Sequence, residues 1–179
     1  MNLRSSALRR CAAAALACAA ISVPAVALAS PAVPRSVVSL PRCSAANTYV
    51  WFALSPNGTA GSVVYPVEFT NVGRRTCTLR GIPSIWAVSK SGRRIGPAAR
   101  KITVTARTVT VRPNQTVHAL LSIVEPGVIA GCRAATAYGL EVRPPGQKRS
   151  QFVGDFTFTT CKNKVALSIE PVARGIGVP

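Results

Sequence analysis

Ser62-Val63-Val64-Tyr65-Pro66-Val67-Glu68-Phe69-Thr70, closed by Asn71-Val72-Gly73, reads as a strand running into a tight turn. Val63, Tyr65, Val67 and Phe69 share one face, and Ser62, Val64, Pro66, Glu68 and Thr70 share the other. Successive side chains of a pleated strand point to opposite faces, so a period of two marks a strand with one face on a core. Pro66 has no amide hydrogen to give a ladder and predicts an edge position or a bulge. Asn, Gly and a short polar run then supply the turn.

The same pattern extends outward in both directions. Residues 47–54 are apolar on both faces and predict a buried strand. Cys77-Thr78-Leu79 starts a short strand broken at Gly81-Ile82-Pro83, Ile85 to Val88 continue with Trp86, and Ser91-Gly92 is a hairpin signal. Ile102, Val104 and Ala106 alternate, and the apolar phase then slips to Val109 and Val111, as at a bulge. After Pro113-Asn114, Val117, Ala119, Leu121 and Ile123 form another inward face. Beyond Pro126-Gly127 come Tyr138, Leu140 and Val142, the break at Pro144-Pro145-Gly146, then Phe156 and Phe158, and Val165, Leu167 and Ile169. Helical periodicity is almost absent. Eight or nine short strands punctuated by turns predict an all-β antiparallel sandwich in a single domain over residues 43–172, with 173–179 as a tail.

The ends and the charge narrow the function. Arg4, Arg9 and Arg10, an uncharged Ala-rich run from Cys11 to Ala29, and Ala27-Leu28-Ala29 before Ser30 read as a signal peptide over residues 1–29. Pro- and Ser-rich residues 30–42 predict a flexible lead. The 179-residue chain has 22 Lys plus Arg, 5 Asp plus Glu and a formal net charge of +17. Three of those positive charges belong to the leader, which leaves +14 on the exported chain. The expected location is secreted, extracellular or in the cell envelope, with no transmembrane segment after cleavage. Export separates so basic a chain from nucleic acid, so no nucleic-acid partner is expected.

Beyond the leader four cysteines remain, Cys43, Cys77, Cys132 and Cys161. An even count in an exported chain predicts two disulfides, with three connectivities open. The intervening 33, 54 and 28 residues lack the close pairs of a zinc site.

Several motifs resemble the secreted actinobacterial family known as domain of unknown function 4232 (DUF4232). They are Phe69-Thr70-Asn71-Val72-Gly73, Thr76-Cys77-Thr78-Leu79-Arg80-Gly81-Ile82-Pro83, the Pro-Gly before Cys132, and Val142-Arg143-Pro144-Pro145, with Cys161 and a last strand ending at Pro171. Ile82 departs from the aromatic that usually precedes this proline. The resemblance implies an immunoglobulin-like sandwich, exported or lipid-anchored, with no established activity. Of the three connectivities, Cys43–Cys77 with Cys132–Cys161 is favoured, because each bond would staple strands close in sequence.

The material for catalysis is thin. His118 is the only histidine and lies on the outer face of its strand, where a surface or rim position is expected; a Ser-His-Asp arrangement would need Asp155 or a glutamate to orient it. No Gly-x-Ser-x-Gly elbow exists. Glu68, Glu125, Glu141, Asp155 and Glu170 are the only carboxylates for paired acid chemistry, and they are expected to be solvated or to face nearby arginines. No cofactor is expected, and the chain is read as a non-enzyme.

The basic turns remain. Arg74-Arg75, Arg93-Arg94, Arg100-Lys101, Arg143 with Lys148-Arg149, and Lys162 with Lys164 are candidates for binding anions, since Arg forks match phosphate and carboxylate. The expected function is a non-catalytic envelope or extracellular binding module contacting an anionic polymer or a protein partner. A secreted enzyme inhibitor, with Arg93, Arg94 or Arg149 as its specificity residue, or a small-ligand carrier, is the alternative.

Overall fold

The computed structural model describes residues 39–53, 57–154 and 156–177. The leader at 1–29, most of the lead at 30–42, Asp155 and the end of the tail lie outside the described residues.

The chain is all-β. Its strands are β1 (Thr48–Phe52), β2 (Asn57–Thr59), β3 (Ser62–Asn71), β4 (Cys77–Leu79), β5 (Ser84–Val88), β6 (Arg94–Ile95), β7 (Arg100–Lys101) and β8 (Val109–Val111). They continue as β9 (Thr116–Val124), β10 (Ala134–Ala137), β11 (Leu140–Arg143), β12 (Gln151–Val153), β13 (Phe158–Cys161), β14 (Leu167–Ile169) and β15 (Ala173–Arg174). The alternating segments at 62–70 and 117–123 are present as β3 and β9; two- and three-residue pairings raise the count above the eight or nine expected. One seven-stranded sheet runs β1-β3-β9-β14-β7, with β2 added to β3 and β15 to β9. A four-stranded sheet runs β12-β11-β5-β6, and two ribbons pair β4 with β8 and β10 with β13. Among these strands the pairings are antiparallel except β7 with β14, and the isolated bridges Arg42–Thr78 and Val117–Gly175 are parallel.

One core joins these sheets. The inward face of β9, Val117, Ala119, Leu121 and Ile123, is buried with Val67 and Phe69 of β3. Against them pack Leu79, Ile85, Val111, Leu140, Val142 and Ile169. The disulfides are Cys43–Cys77 and Cys132–Cys161, the favoured pairing.

Four local expectations are corrected. The segment apolar on both faces is an edge strand: Tyr49 in β1 is 57% exposed, and only one face meets the core. Pro66 sits in β3, inside the large sheet, because its missing N–H falls where β1 ends, and its carbonyl still accepts the Ala53 N–H. The alternation of Ile102, Val104 and Ala106 forms no strand beyond β7. Its would-be partner β14 ends at Ile169, whose carbonyl accepts the Ile102 N–H, and the Val172 amide beyond it donates to Gly81. Finally, the domain does not stop at residue 172. β15 lies along β9, pairing Ala173 with His118 and Arg174 with Val117. At the other end Pro41 and Arg42 are held too, the former accepting the Thr78 N–H and the latter bridging to Thr78.

Candidate anion-binding cleft

The turn joining β5 to β6 builds one wall of a cleft. Ser89 accepts the Gly92 N–H through its carbonyl and the Arg93 N–H through its hydroxyl, and Gly92 takes the left-handed φ of +76° that closes the turn. Arg93 and Arg94 leave this turn in succession. At its far end Gly96, φ +66°, lies so close to the Cys161 carbonyl that any Cβ would overlap it. This approach brings Lys162 alongside β6, and the Lys162 N–H donates to the Arg133 carbonyl at 2.8 Å. The Cys132–Cys161 disulfide fixes that second wall next to β10. The resulting cleft has a volume of about 620 Å³ and is lined by Ser89, Arg93, Arg94, Ile95, Gly96, Ala135, Thr136 and Lys162. No lining residue is acidic.

The three cations are not equivalent. Arg94 Nε donates to Glu141 Oε2 at 2.6 Å and Nη2 to Oε1 at 2.9 Å, while its guanidinium lies 3.9 Å from the centre of the Trp86 ring. The Arg94 hydrogen bonds, then that of the Ser150 hydroxyl, hold the Glu141 carboxyl down at about 2. Arg94 is thus neutralised and fixed. Arg93 and Lys162 have no carboxylate partner among the described residues, and both are exposed. Two uncompensated cations beside the Ser89 and Thr136 hydroxyls offer charge and hydrogen-bond donors to one anionic group.

The other basic residues fall elsewhere. Arg74 and Arg75 are exposed on the turn after β3, and Lys148 and Arg149 are exposed on the loop between β11 and β12. Both loops pack on segment 43–48: the Val72 N–H donates to the Asn47 carbonyl, and Gln147 Nε2 donates to the Cys43 carbonyl and to Thr48 Oγ1. These four charges therefore rim one end of the sandwich. Arg143 lies 5.5 Å from the Trp86 ring centre, with Nη2 directed at Ser84 Oγ. Arg100 and Lys101 form β7 at the sheet edge. The basic turns form several clusters; Arg100 borders a smaller cleft with Val165 and Ser168, whereas Arg93 and Lys162 face one larger cleft together. Ser89 and Thr136 were not legible as partners, since their proximity depends on which edges the ribbons meet.

One expectation about the acids fails. Glu68 is completely buried, not solvated. Its Oε1 accepts the Gly177 N–H at 2.8 Å, and Oε2 has no partner. Desolvation pushes its carboxyl above the usual range, against smaller opposing effects of the Gly177 N–H and His118. His118 stands opposite Glu68 in the β3–β9 register, half-buried on the outer face, with Nδ1–H donating to the Gly175 carbonyl at 2.9 Å. Both side chains are covered by the stretch that the sequence marks as a tail.

Among the described residues no group of three or more His, Cys, Asp or Glu is placed to hold a metal ion, and no helix is long and apolar enough to cross a membrane. The family model described as Domain of unknown function (DUF4232) matches residues 43–173, and the chain belongs to this family. No curated protein and no solved structure matches it.

Proposed function

We propose that this DUF4232 chain is an exported, non-catalytic module that binds an anionic group of an extracellular or envelope polymer in the Arg93–Lys162 cleft. The observation that carries the reading is the pairing of two uncompensated cations in one acid-free cleft. Arg94 supports it indirectly, because its Glu141 and Trp86 contacts hold the base of the turn that aims Arg93. The same contacts favour this reading over one in which Arg94 serves as the specificity residue of a protease inhibitor. The leader-like segment and the two disulfides support an oxidising location. The commitment of His118 to a backbone carbonyl supports a non-catalytic role.

The test compares two double variants in binding short-chain polyphosphate at low salt. Arg93→Gln with Lys162→Gln removes the cleft charges, and Arg74→Gln with Arg75→Gln removes the same charge from the other end. The first is expected to weaken binding at least tenfold and the second less than threefold. Equal losses would show that only net charge matters. Wild-type binding should also fall steeply between 10 and 150 mM salt, where the screening length drops from roughly 30 to 8 Å.

A further inference from the structure

The covering of Glu68 and His118 by residues 173–177 has the form of a ligand seated in a site. β15 adds to the edge of β9 as a short antiparallel strand, and Gly175, φ +84°, turns the chain across the outer face of β9 and β3. From there the contacts are made to backbone. His118 Nδ1–H takes the Gly175 carbonyl, and Glu68 Oε1 takes the Gly177 N–H. Ile176 between them is 61% exposed and contributes no anchor. A Cβ on Gly177 would overlap the Pro66 ring and press on the His118 ring, so this position accepts glycine alone. Glu68 is fully buried and its second oxygen is unpartnered. Buried side-chain oxygens of folded proteins are paired in the large majority of cases, so the open second oxygen of Glu68 calls for a role beyond fold stability.

We infer that Pro66, Glu68, His118 and the edge of β9 form a recognition site for an extended peptide with glycine at its fifth position, occupied in cis by residues 173–177. The logic is that of strand addition, where main-chain hydrogen bonds give affinity and a steric pocket gives selectivity. The ligand class is a peptide of the sequence type Ala-Arg-Gly-Ile-Gly. Such a peptide binds in trans once the cis occupant is released.

The test uses the full chain, wild type and Gly177→Val, with Gly177→Ala as a milder second variant that carries the overlapping methyl alone. The probe is an end-blocked synthetic peptide of residues 172–177, Val-Ala-Arg-Gly-Ile-Gly. Amide exchange at residues 173–177 should accelerate at least tenfold in both variants. Both should bind the peptide at least tenfold more tightly than wild type, whose site is filled. Glu68→Ala added to Gly177→Ala should weaken that binding at least tenfold, and so should Gly→Ala at the last residue of the peptide. Unchanged exchange in the variants, equal peptide binding by variants and wild type, no binding by variants whose exchange has accelerated, or indifference to Glu68 would each overturn the inference.

Discussion

Replacing Asn71 by Ala tests whether one buried amide organises the turn that follows β3. Asn71 is 2% exposed. Its Nδ2 donates to the Arg75 carbonyl at 2.9 Å and the Val111 carbonyl at 3.0 Å, and its Oδ1 accepts the Gly73 N–H at 2.9 Å. The side chain therefore closes the turn on itself and ties it to β8. Truncation removes three hydrogen bonds to backbone groups. Val111 is almost fully buried but pairs with Cys77 across the β4–β8 ribbon, so its carbonyl keeps a ladder partner and loses about 1 kcal/mol. The other two lie near solvent and lose about 1 kcal/mol each, the typical net value of a hydrogen bond. Asn71→Ala should thus destabilise by about 3 kcal/mol. At roughly 2–4 °C per kcal/mol for a domain of this size, Tm falls by about 6–12 °C. Asn71→Asp preserves size but turns an oxygen toward two carbonyls, so it should cost at least as much at neutral pH and recover part of the loss in acid, where the protonated side chain donates once. Urea unfolding at pH 7 and pH 4 measures both. A loss below 1 kcal/mol for the alanine variant, or an aspartate variant as stable as wild type at pH 7, would refute the reasoning.

Three further outcomes follow from the ionisable groups and the disulfides. Glu68 has its carboxyl raised by burial, so the stability it allows in acid is lost as pH rises through that raised value. Glu68→Gln should gain on wild type progressively from pH 4 to pH 8 in denaturant titrations, and parallel curves would contradict this. Glu141, held at about 2, stabilises above the ordinary carboxylate range and loses that contribution as pH falls from about 5 toward 2. With Arg94 half exposed the pair is worth about 0.5–1 kcal/mol, so Glu141→Gln should trail wild type by that amount at pH 7 and match it near pH 2. Cys132→Ser with Cys161→Ser should lower stability by about 2–4 kcal/mol in the same assay. An unchanged midpoint would mean that the β10–β13 ribbon needs no staple.

Much of the fold was legible because its long strands carry a strict period of two. β9 is the clearest case: Val117, Ala119, Leu121 and Ile123 are all buried, and the residues between them are only half covered. The favoured disulfide pairing also stands. What failed depends on which edges meet. The 102–106 alternation has no strand because β14 runs out of paired residues, and β1 lies at an edge although both its faces are apolar. Glu68 reads as outward by alternation and is outward, on the face away from the core, yet residues 173–177 cover it. No local pattern announces that covering. For the site, the charge runs identified Arg93 and Lys162 as exposed cations. Their meeting depends on Gly96 lying against Cys161, a contact between residues 65 positions apart.

The central claim is that binding is local to one cleft rather than spread over a basic surface. A ¹⁵N–¹H NMR titration with short-chain polyphosphate at low salt tests it most directly. The expected shifts centre on Ser89, Arg93, Gly96, Thr136 and Lys162 and saturate together. Shifts distributed over the 72–76 and 144–150 loops, with none in the cleft, would contradict the account.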